Sequence, residues 1–339
     1  MAALAPPVAA VRVAVRSALT GVSSTGPVLV ACSGGADSLA LAAATAFVAP
    51  RLGLAAGLVT VDHRLQPGSD RRGADVVRWA TEVGFDPVEL VEVSVDGRPG
   101  GPEAAVRQAR YQALVAVARR HGAVVVLLGH TRDDQAETVL LALARGAGPR
   151  GIAGMPAARE LAGVTLLRPL LDVGREETRE ACAALGLPVW EDPHNTDPSY
   201  ARSRVRAGLL PALVRELGPG VVAYLARTAE LVAADNAALD ALAGPALRAA
   251  RVGVRALAVP AVAGLAPAVR SRVLHAWARE LGASPGALAR RHVTALDALV
   301  GRWHGQGSVH LPGGIQVSRQ GETLHGTDPS TGPTGSTDR

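Results

Sequence analysis

The residues with the clearest chemical potential lie at 28–38, in the string VLVACSGGADS. The apolar run at 28–32 predicts a buried strand, and the Ala- and Leu-rich run at 39–48 predicts a helix. The string SGGADS at 33–38 joins them, and paired glycines let a backbone approach a ligand closely. Since N–H groups at the start of a helix attract anions, this junction predicts a phosphate cradle. An ordinary strand-to-helix turn is the plainer alternative.

Acidic residues occur at two places where they would face such a cradle. Asp37 would repel a phosphate unless a cation lies between them, which predicts a Mg²⁺ ligand. Asp133, Asp134 and Glu137 follow a later strand and share one helix face at spacings of three and four residues. They could be further Mg²⁺ ligands, or simply a solvated acidic helix start that the helix dipole favours.

Alternating strands and helices must position these groups. The predicted strands are 28–32, 54–61, 88–95 and 124–128, and the predicted helices between them are 39–48, 69–83 and 102–121. Ser69 is the expected N-cap of the second of these helices. The alternation predicts an α/β fold with a doubly wound parallel sheet. Ser33, His63 and His130 each follow a strand, so we expect them to converge at its carboxyl edge.

The rest of the chain predicts a second, mainly helical domain. Residues 145–154 form a Gly-rich stretch that is either a connector or a mobile active-site loop. An extended piece at 168–171, a helix at 176–185 and a polar loop at 190–195 follow. The later helices are predicted at 221–242, 268–281 and 291–300, and a short β-hairpin at 309–311 and 315–318. We expect a catalytic domain over 1–217, a basic helical domain over 218–326, and a disordered tail over 327–339.

Composition excludes several classes of function. The chain has no lysine, so all 35 basic residues are arginine. A Walker A nucleotide hydrolase and a pyridoxal-phosphate enzyme both need a lysine and are excluded. The two cysteines, Cys32 and Cys182, are far apart and predict no disulfide. No apolar run long enough to cross a membrane and no signal peptide is apparent, which predicts a cytoplasmic protein.

Positive charge is concentrated in the last third of the chain. Residues 245–325 hold ten arginines against three acidic residues, an excess of +7 where the whole chain has +5. Such a region favours a polyanionic partner. A solvated arginine-rich surface is the alternative.

Several segments resemble known families. SGGADS resembles the SGGxDS loop of the PP-loop ATP pyrophosphatases, and GHTRDDQAET at 129–138 resembles the GHxxDDQxET segment of tRNA(Ile)-lysidine synthetases. EAAVRQARY at 103–111, RPLL at 168–171 and the Trp-x-Asp-Pro-x-Asn segment at 190–195 also match that family. The family also has two arginines four residues apart ahead of a Leu-Pro pair, and Arg202, Arg206 and Leu210-Pro211 match them. In the 103–111 segment, Val106 replaces an alanine of the family. Gln66 departs from the family's HGLR, which puts a phosphate contact there in doubt.

This resemblance implies a Rossmann-like PP-loop fold and an ATP-dependent ligase. Family members adenylate the wobble cytidine of the CAU anticodon of tRNA(Ile), and the ε-amine of free L-lysine then displaces AMP to form lysidine. The implied cofactors are ATP and Mg²⁺, and a homodimer is compatible with the sequence. Asp134 and Glu137 could then seat the ammonium group of lysine instead of a metal.

The resemblance and the predicted geometry together define the expected site residues. The catalytic set is Asp37, Arg107, His130, Asp134 and Arg204. The ATP-binding set is Ser33, Gly34, Gly35, Ala36, Asp37, Ser38 and His63. The tRNA-binding set is Arg110, Arg202, Arg206, Arg248, Arg290 and Arg291. The metal-binding set is Asp37, Asp133 and Asp134.

Other functions fit the sequence less well. A tRNA thiolase would use the same loop, but many thiolases need clustered cysteines that this sequence lacks. A small-molecule amide synthetase would need an ammonia-supplying domain. A non-catalytic tRNA-binding module would have no need of Asp37, Asp133 and Asp134.

Overall fold

The structure, a computed structural model, describes residues 4–23, 25–64, 68–93, 102–191, 197–284 and 286–327. The chain forms two compact units, Met1–Ala233 and Ala234–Arg339. The predicted tail beyond residue 327 lies outside the described residues.

The first unit alternates strands and helices, as predicted. Its strands are β1 (Val28–Ala31), β2 (Ala56–Asp62), β3 (Val88–Glu92), β4 (Val125–Leu128), β5 (Ala158–Leu161) and β6 (Val164–Leu167). Its helices are α1 (Pro6–Leu19), α2 (Ala36–Val48), α3 (Ser69–Val83), α4 (Pro102–Arg120), α5 (Arg132–Ala144), α6 (Gly148–Ile152), α7 (Arg175–Ala184), α8 (Ala201–Arg204) and α9 (Leu210–Leu217). A π-helical segment, Val205–Leu209, joins α8 to α9.

The six strands form one sheet in the order β3-β2-β1-β4-β6-β5. All neighbouring pairs are parallel except β5 with β6. β1 lies in the middle, with Val28 paired to Ala56 on one side and to Val125 on the other. The carboxyl ends of β1, β2 and β4 therefore meet at one edge, as the sequence predicts.

Helices cover both faces of this sheet. Val28 and Val30 point into a core shared with α1, α2 and α7, whereas Leu29 between them packs on the opposite face with Leu114 of α4. This alternation follows from the period of two along a strand. The predicted doubly wound α/β fold is confirmed.

Three local features of this unit differ from the predictions. Ser69 is the first residue of α3 and not its N-cap, because Gly68 precedes it with a φ of 83°. The 168–171 segment is a turn, and the extended structure lies just before it, in β5 and β6. The Gly-rich stretch contains α6, which is anchored to α5 where the Gln135 amide bonds Met155 N and O.

The second unit combines helices with an antiparallel sheet. Its elements after α10 (Val221–Ala250), which begins in the first unit, are β7 (Arg251–Gly253), β8 (Ala256–Ala258), α11 (Val259–Ala263), α12 (Pro267–Glu280), α13 (Arg290–Gly301), β9 (Val309–Leu311), β10 (Ile315–Gln320) and β11 (Thr323–Gly326). The strand order is β7-β8-β11-β10-β9. Trp277 and Leu274 of α12 are buried in its core.

The mainly helical character of this region is confirmed, but the predicted hairpin, β9 with β10, is part of a five-stranded sheet. The missed strands have three or four residues, too few to show an alternating pattern. The predicted domain boundary lies where α9 ends at Leu217, and the two compact units divide further on, inside α10.

No single helix in the described part of the chain is long and apolar enough to cross a membrane. One bent pair, Ala201–Leu217 with Val221–Ala250, passes that test by length and composition alone.

Candidate active site

The predicted cradle lies between β1 and α2. Gly34 has a φ of +85°, and a Cβ there would come within 3.2 Å of the Val76 side chain, so the turn requires glycine. The Ser38 hydroxyl accepts a bond from Ser33 N at 3.1 Å and donates to Gly35 O at 2.9 Å. No side chain caps the first turn of α2. Its N–H groups are therefore available to an anion.

The cradle opens into a crevice of about 460 Å³ at the carboxyl edge of the sheet. His63 from the end of β2 and His130 from the end of β4 line it, together with Ser33. Close approach of β4 to the cradle depends on Gly129, because a Cβ there would lie 3.1 Å from Asp37 O. The arginines that line the crevice are Arg72, Arg110, Arg175, Arg179 and Arg206.

Asp37 lines the crevice at the start of α2. Its Oδ1 accepts a hydrogen bond from the Thr178 hydroxyl of α7, and its Oδ2 lies 3.9 Å from Arg175 Nε. Burial raises the pKa of Asp37 to about 6. The hydrogen bond from Thr178 lowers this pKa, and the nearby Asp134 carboxylate raises it. A carboxylate destabilised in this way would gain from a cation beside Oδ2.

Asp134 and the fully buried Glu137 form one cluster with three arginines. Arg175 bonds both carboxylates at 3.0–3.1 Å, and Arg206 bonds both at 2.8–3.1 Å. Arg202 Nε donates to Glu137 Oε2 at 2.8 Å. Burial acts to raise the pKa of Asp134, but these guanidinium charges outweigh it and the pKa is lowered. We name this group the carboxylate–arginine cluster.

Asp133 and Asp134 are therefore already occupied by protein groups. Asp133 Oδ2 accepts the backbone N–H of Arg175 at 2.8 Å, at the start of α7. Asp134 Oδ2 accepts the backbone N–H of Thr131 at 2.9 Å. Among the described residues no group of three His, Cys, Asp or Glu side chains is arranged to hold a metal ion. The Asp37 side chain is 26% exposed, against 11% for Asp134 and 0% for Glu137.

His130 is held in its neutral form. Burial lowers its pKa well below 6.5, and the charges of Arg110 and Arg168 act in the same direction. Its Nδ1 is buried without a hydrogen-bond partner among the described residues. A buried ring nitrogen without a partner would gain from a hydrogen bond to a ligand.

The structure places the arginines of the expected catalytic and tRNA-binding sets in different surroundings. Arg110 lines the crevice, whereas Arg107 lies in a neighbouring groove with its guanidinium 5.2 Å from the Tyr111 ring centroid. Arg204 is exposed and donates to the carbonyls of Pro198 and Ser199 at 2.8 and 2.9 Å. Because residues 201–209 are helical, Arg202 and Arg206 share a face.

Sequence reasoning missed four residues of the site. Arg175 and Arg179 of α7 line the crevice, as does Arg72, which lies 4.5 Å from the Trp190 ring centroid. Thr178, also on α7, bonds Asp37. Trp190 N donates to Gly34 O at 2.9 Å, so the tryptophan segment contacts the cradle. Residues 192–195 of the tryptophan segment lie outside the described residues, and so does Gln66.

Comparison with known proteins identifies the family. A PP-loop domain model matches residues 11–213, and a TilS substrate binding domain model matches residues 257–325. A tRNA(Ile)-lysidine synthase of Salinispora arenicola is 68% identical over 97% of this chain and 99% of its own length. One of Streptomyces coelicolor is 57% identical over 88% and 84%. The chain belongs to the tRNA(Ile)-lysidine synthase family.

Solved structures support the same fold. The U34-tRNA thiolase of Methanococcus maripaludis, solved with its [4Fe-4S] cluster, covers 67% of this chain and 80% of its own with a TM-score of 0.55. At 19% identity it shares the fold alone. The predictions of a tRNA(Ile)-lysidine synthase family member and of an enzyme are confirmed, and the PP-loop match supports the use of ATP.

The arginines of the second unit of this synthase family member fall into two groups. Five of the ten arginines that the structure describes there are bonded within the unit; examples are Arg270, bonded to Asp297 at 2.6 Å, and Arg319, bonded to Leu299 O at 3.0 Å. The exposed ones, with no ion-pair partner among the described residues, are Arg248, Arg279, Arg290, Arg291 and Arg302. Three of these five belong to the predicted tRNA-binding set.

Proposed function

We propose that the chain forms lysidine at the wobble cytidine of a tRNA(Ile) with a CAU anticodon. ATP adenylates the carbon 2 oxygen of that base and releases pyrophosphate. The ε-amine of free L-lysine then displaces AMP, which changes codon reading from AUG to AUA. The observation that carries the proposal is 68% identity to a tRNA(Ile)-lysidine synthase over 97% of the chain.

The cradle and the crevice arginines would bind the triphosphate of ATP. N–H groups in the first turn of α2 and the hydroxyl of Ser33 are donors for phosphate oxygens. Arg175 and Arg206 lie on the same wall and would neutralise charge that builds up as pyrophosphate leaves. Arg204, exposed and outside the crevice lining, is better suited to contact tRNA than to contact ATP.

Asp37 is the residue that fits a Mg²⁺ ion. Mg²⁺ in ATP sites is commonly held by one or two carboxylates together with substrate phosphates, so one open carboxylate oxygen beside a phosphate cradle suffices. The bound ion would neutralise phosphate charge during adenylation. Asp133 and Asp134 fit less well, because the Arg175 backbone and the carboxylate–arginine cluster occupy them.

The carboxylate–arginine cluster and His130 would handle the other two substrates. The ammonium of lysine could pair with Asp134 or Glu137 only where a guanidinium of the cluster moves aside, since both carboxylates are bonded in this structure. Neutral His130 would hydrogen-bond the edge of the cytosine. Arg110, which also lines the crevice, would contact the phosphate of the flipped nucleotide. The proposal also includes free L-lysine as the nucleophile, a cytoplasmic location and a homodimer.

The direct test is a nucleoside analysis of modified tRNA. We expect the purified chain, given ATP, Mg²⁺, lysine and a tRNA(Ile) transcript with a CAU anticodon, to produce lysidine detectable by mass spectrometry. A transcript with uridine at the wobble position is the control and should stay unmodified. In a parallel reaction that also holds sulfide, a thiolated base would support a tRNA thiolase. Binding of tRNA without modification would support a non-catalytic module.

Arginines of the second unit should control the salt dependence of tRNA binding. Replacing Arg248, Arg290 and Arg291 together by Ala removes up to three phosphate contacts, so the log–log slope of affinity against salt should fall by about 2–3 units. Fluorescence anisotropy with labelled tRNA measures this slope. The matched control replaces three exposed arginines of the first unit, Arg16, Arg78 and Arg215. Equal slopes in the two triple variants would contradict the prediction.

A further inference from the structure

A second cavity of the first unit, with a volume of about 600 Å³, has no role in the proposed chemistry. It lies between α4 and the β5–β6 hairpin, and we name it the α4–β5 groove. Its apolar lining is Val115, Ala116, Leu161 and Ala162, and its polar lining is Arg107, Gln108, Tyr111, Gln112, Arg119 and Arg159. Its volume lies in the range of about 300–1,000 Å³ that is typical of ligand sites.

The groove is positively charged. Arg107, Arg119 and Arg159 line it, and none of its lining residues is acidic. Arg159 is exposed on the edge strand β5. Glu160, its neighbour, projects to the other face of the strand and is bonded by Thr165. The groove therefore presents cations without compensating carboxylates, which suits an anionic ligand with an apolar part.

The groove begins beside the crevice. At one end of the groove, the Arg107 guanidinium lies 5.2 Å from the Tyr111 ring centroid and donates to the Tyr111 hydroxyl at 3.4 Å. Arg110, whose guanidinium lies 5.9 Å from that centroid, lines the crevice. At the other end, Arg119 donates to Ala162 O and holds the β5–β6 turn against α4. From Arg107 to Arg119 the helix rises about 18 Å, which is long enough for more than one nucleotide.

These features match single-stranded RNA. Unstacked bases in RNA loops are commonly recognised by stacking on aromatic rings or guanidinium planes, and by hydrogen bonds to their edges. The planar guanidinium of Arg107 offers a stacking surface, Gln108 offers an amide for a base edge, and the exposed Arg159 can contact a phosphate. A neutral or basic peptide would gain less from a groove whose charged lining residues are all arginines.

From this geometry we infer that the α4–β5 groove binds the unpaired anticodon-loop nucleotides next to the reacting cytidine. The inference deepens the proposed function, because it says where the loop lies while the cytidine occupies the crevice. It also assigns Arg107 to RNA positioning and not to the ATP reaction.

The test measures RNA binding in the absence of ATP and lysine. Ala116→Glu puts a negative charge on the exposed floor of the groove, and Arg159→Glu reverses a charge on its rim. Each should weaken binding of a labelled CAU stem-loop RNA by about tenfold or more, the loss expected for one stacking or charge contact. Arg16→Glu on α1, on the opposite face of the sheet, is the matched control and should leave affinity and melting temperature unchanged.

Crosslinking gives an independent readout. With 4-thiouridine at the uridine of CAU, we expect crosslinked peptides from α4 or β5 of the wild-type chain, and their loss in Ala116→Glu. Wild-type affinity in both groove variants, or crosslinks only to other segments, would overturn the inference. If the wild-type chain forms no lysidine but RNA binding still responds to the groove variants, the proposed function fails and the groove stands.

Discussion

Replacing Asp37 by Asn is expected to lower the rate of tRNA adenylation by at least about 100-fold, the loss typical of one electrostatic stabiliser in an active site. The change removes the negative charge that would hold Mg²⁺ against the phosphates, but it keeps the size of the side chain. Oδ1 can still accept the Thr178 bond. ATP–pyrophosphate exchange in the presence of tRNA measures the step, and tRNA affinity should be nearly intact.

Asp133→Asn separates a metal role from a structural one. Its amide oxygen can still accept the Arg175 N–H at the start of α7, so the exchange rate should fall far less than in Asp37→Asn. Comparable losses in both variants would place Asp133 among the Mg²⁺ ligands. Undiminished exchange in Asp37→Asn would refute the Mg²⁺ role of Asp37.

Replacing Glu137 by Gln is expected to destabilise the first unit by about 3–5 kcal/mol, because removing one partner of a buried ion pair leaves charges uncompensated. The Glu137 side chain is 0% exposed and bonds Arg175, Arg202 and Arg206. Asp134 alone would then face three guanidinium groups. Urea unfolding measures the effect, and lysidine formation should fall with it because the arginines lose their fixed positions.

Glu180→Gln in α7 is the matched control, because it removes the same charge from an exposed site. Its free energy of unfolding should change by less than about 0.5 kcal/mol. An equally small change in Glu137→Gln would mean that the arginines find other partners and that the cluster does not stabilise the unit.

The sequence by itself determined the phosphate cradle and the edge of the sheet where it lies. The strand at 28–32, the glycines after it and the helix that follows are signalled by neighbouring residues, because periodicity and permitted φ values are local properties. Alternating elements then required the ends of β1, β2 and β4 to meet, and the structure brings Ser33, His63 and His130 to one crevice. The family was also evident from the sequence, since its motifs are contiguous strings in a specific order.

Only the tertiary structure decided which groups surround the acidic residues. Thr178 bonds Asp37 across 141 positions of sequence, and Arg175 reaches the carboxylates from the same distant helix. No local pattern encodes such partners, because long-range packing selects them. The pKa of Asp37 likewise depends on burial that its neighbours in sequence do not reveal. The edge strand β5 was also missed, because a four-residue strand is stabilised by its pairing with β6 more than by its own sequence. Without β5, the groove beside α4 could not be predicted.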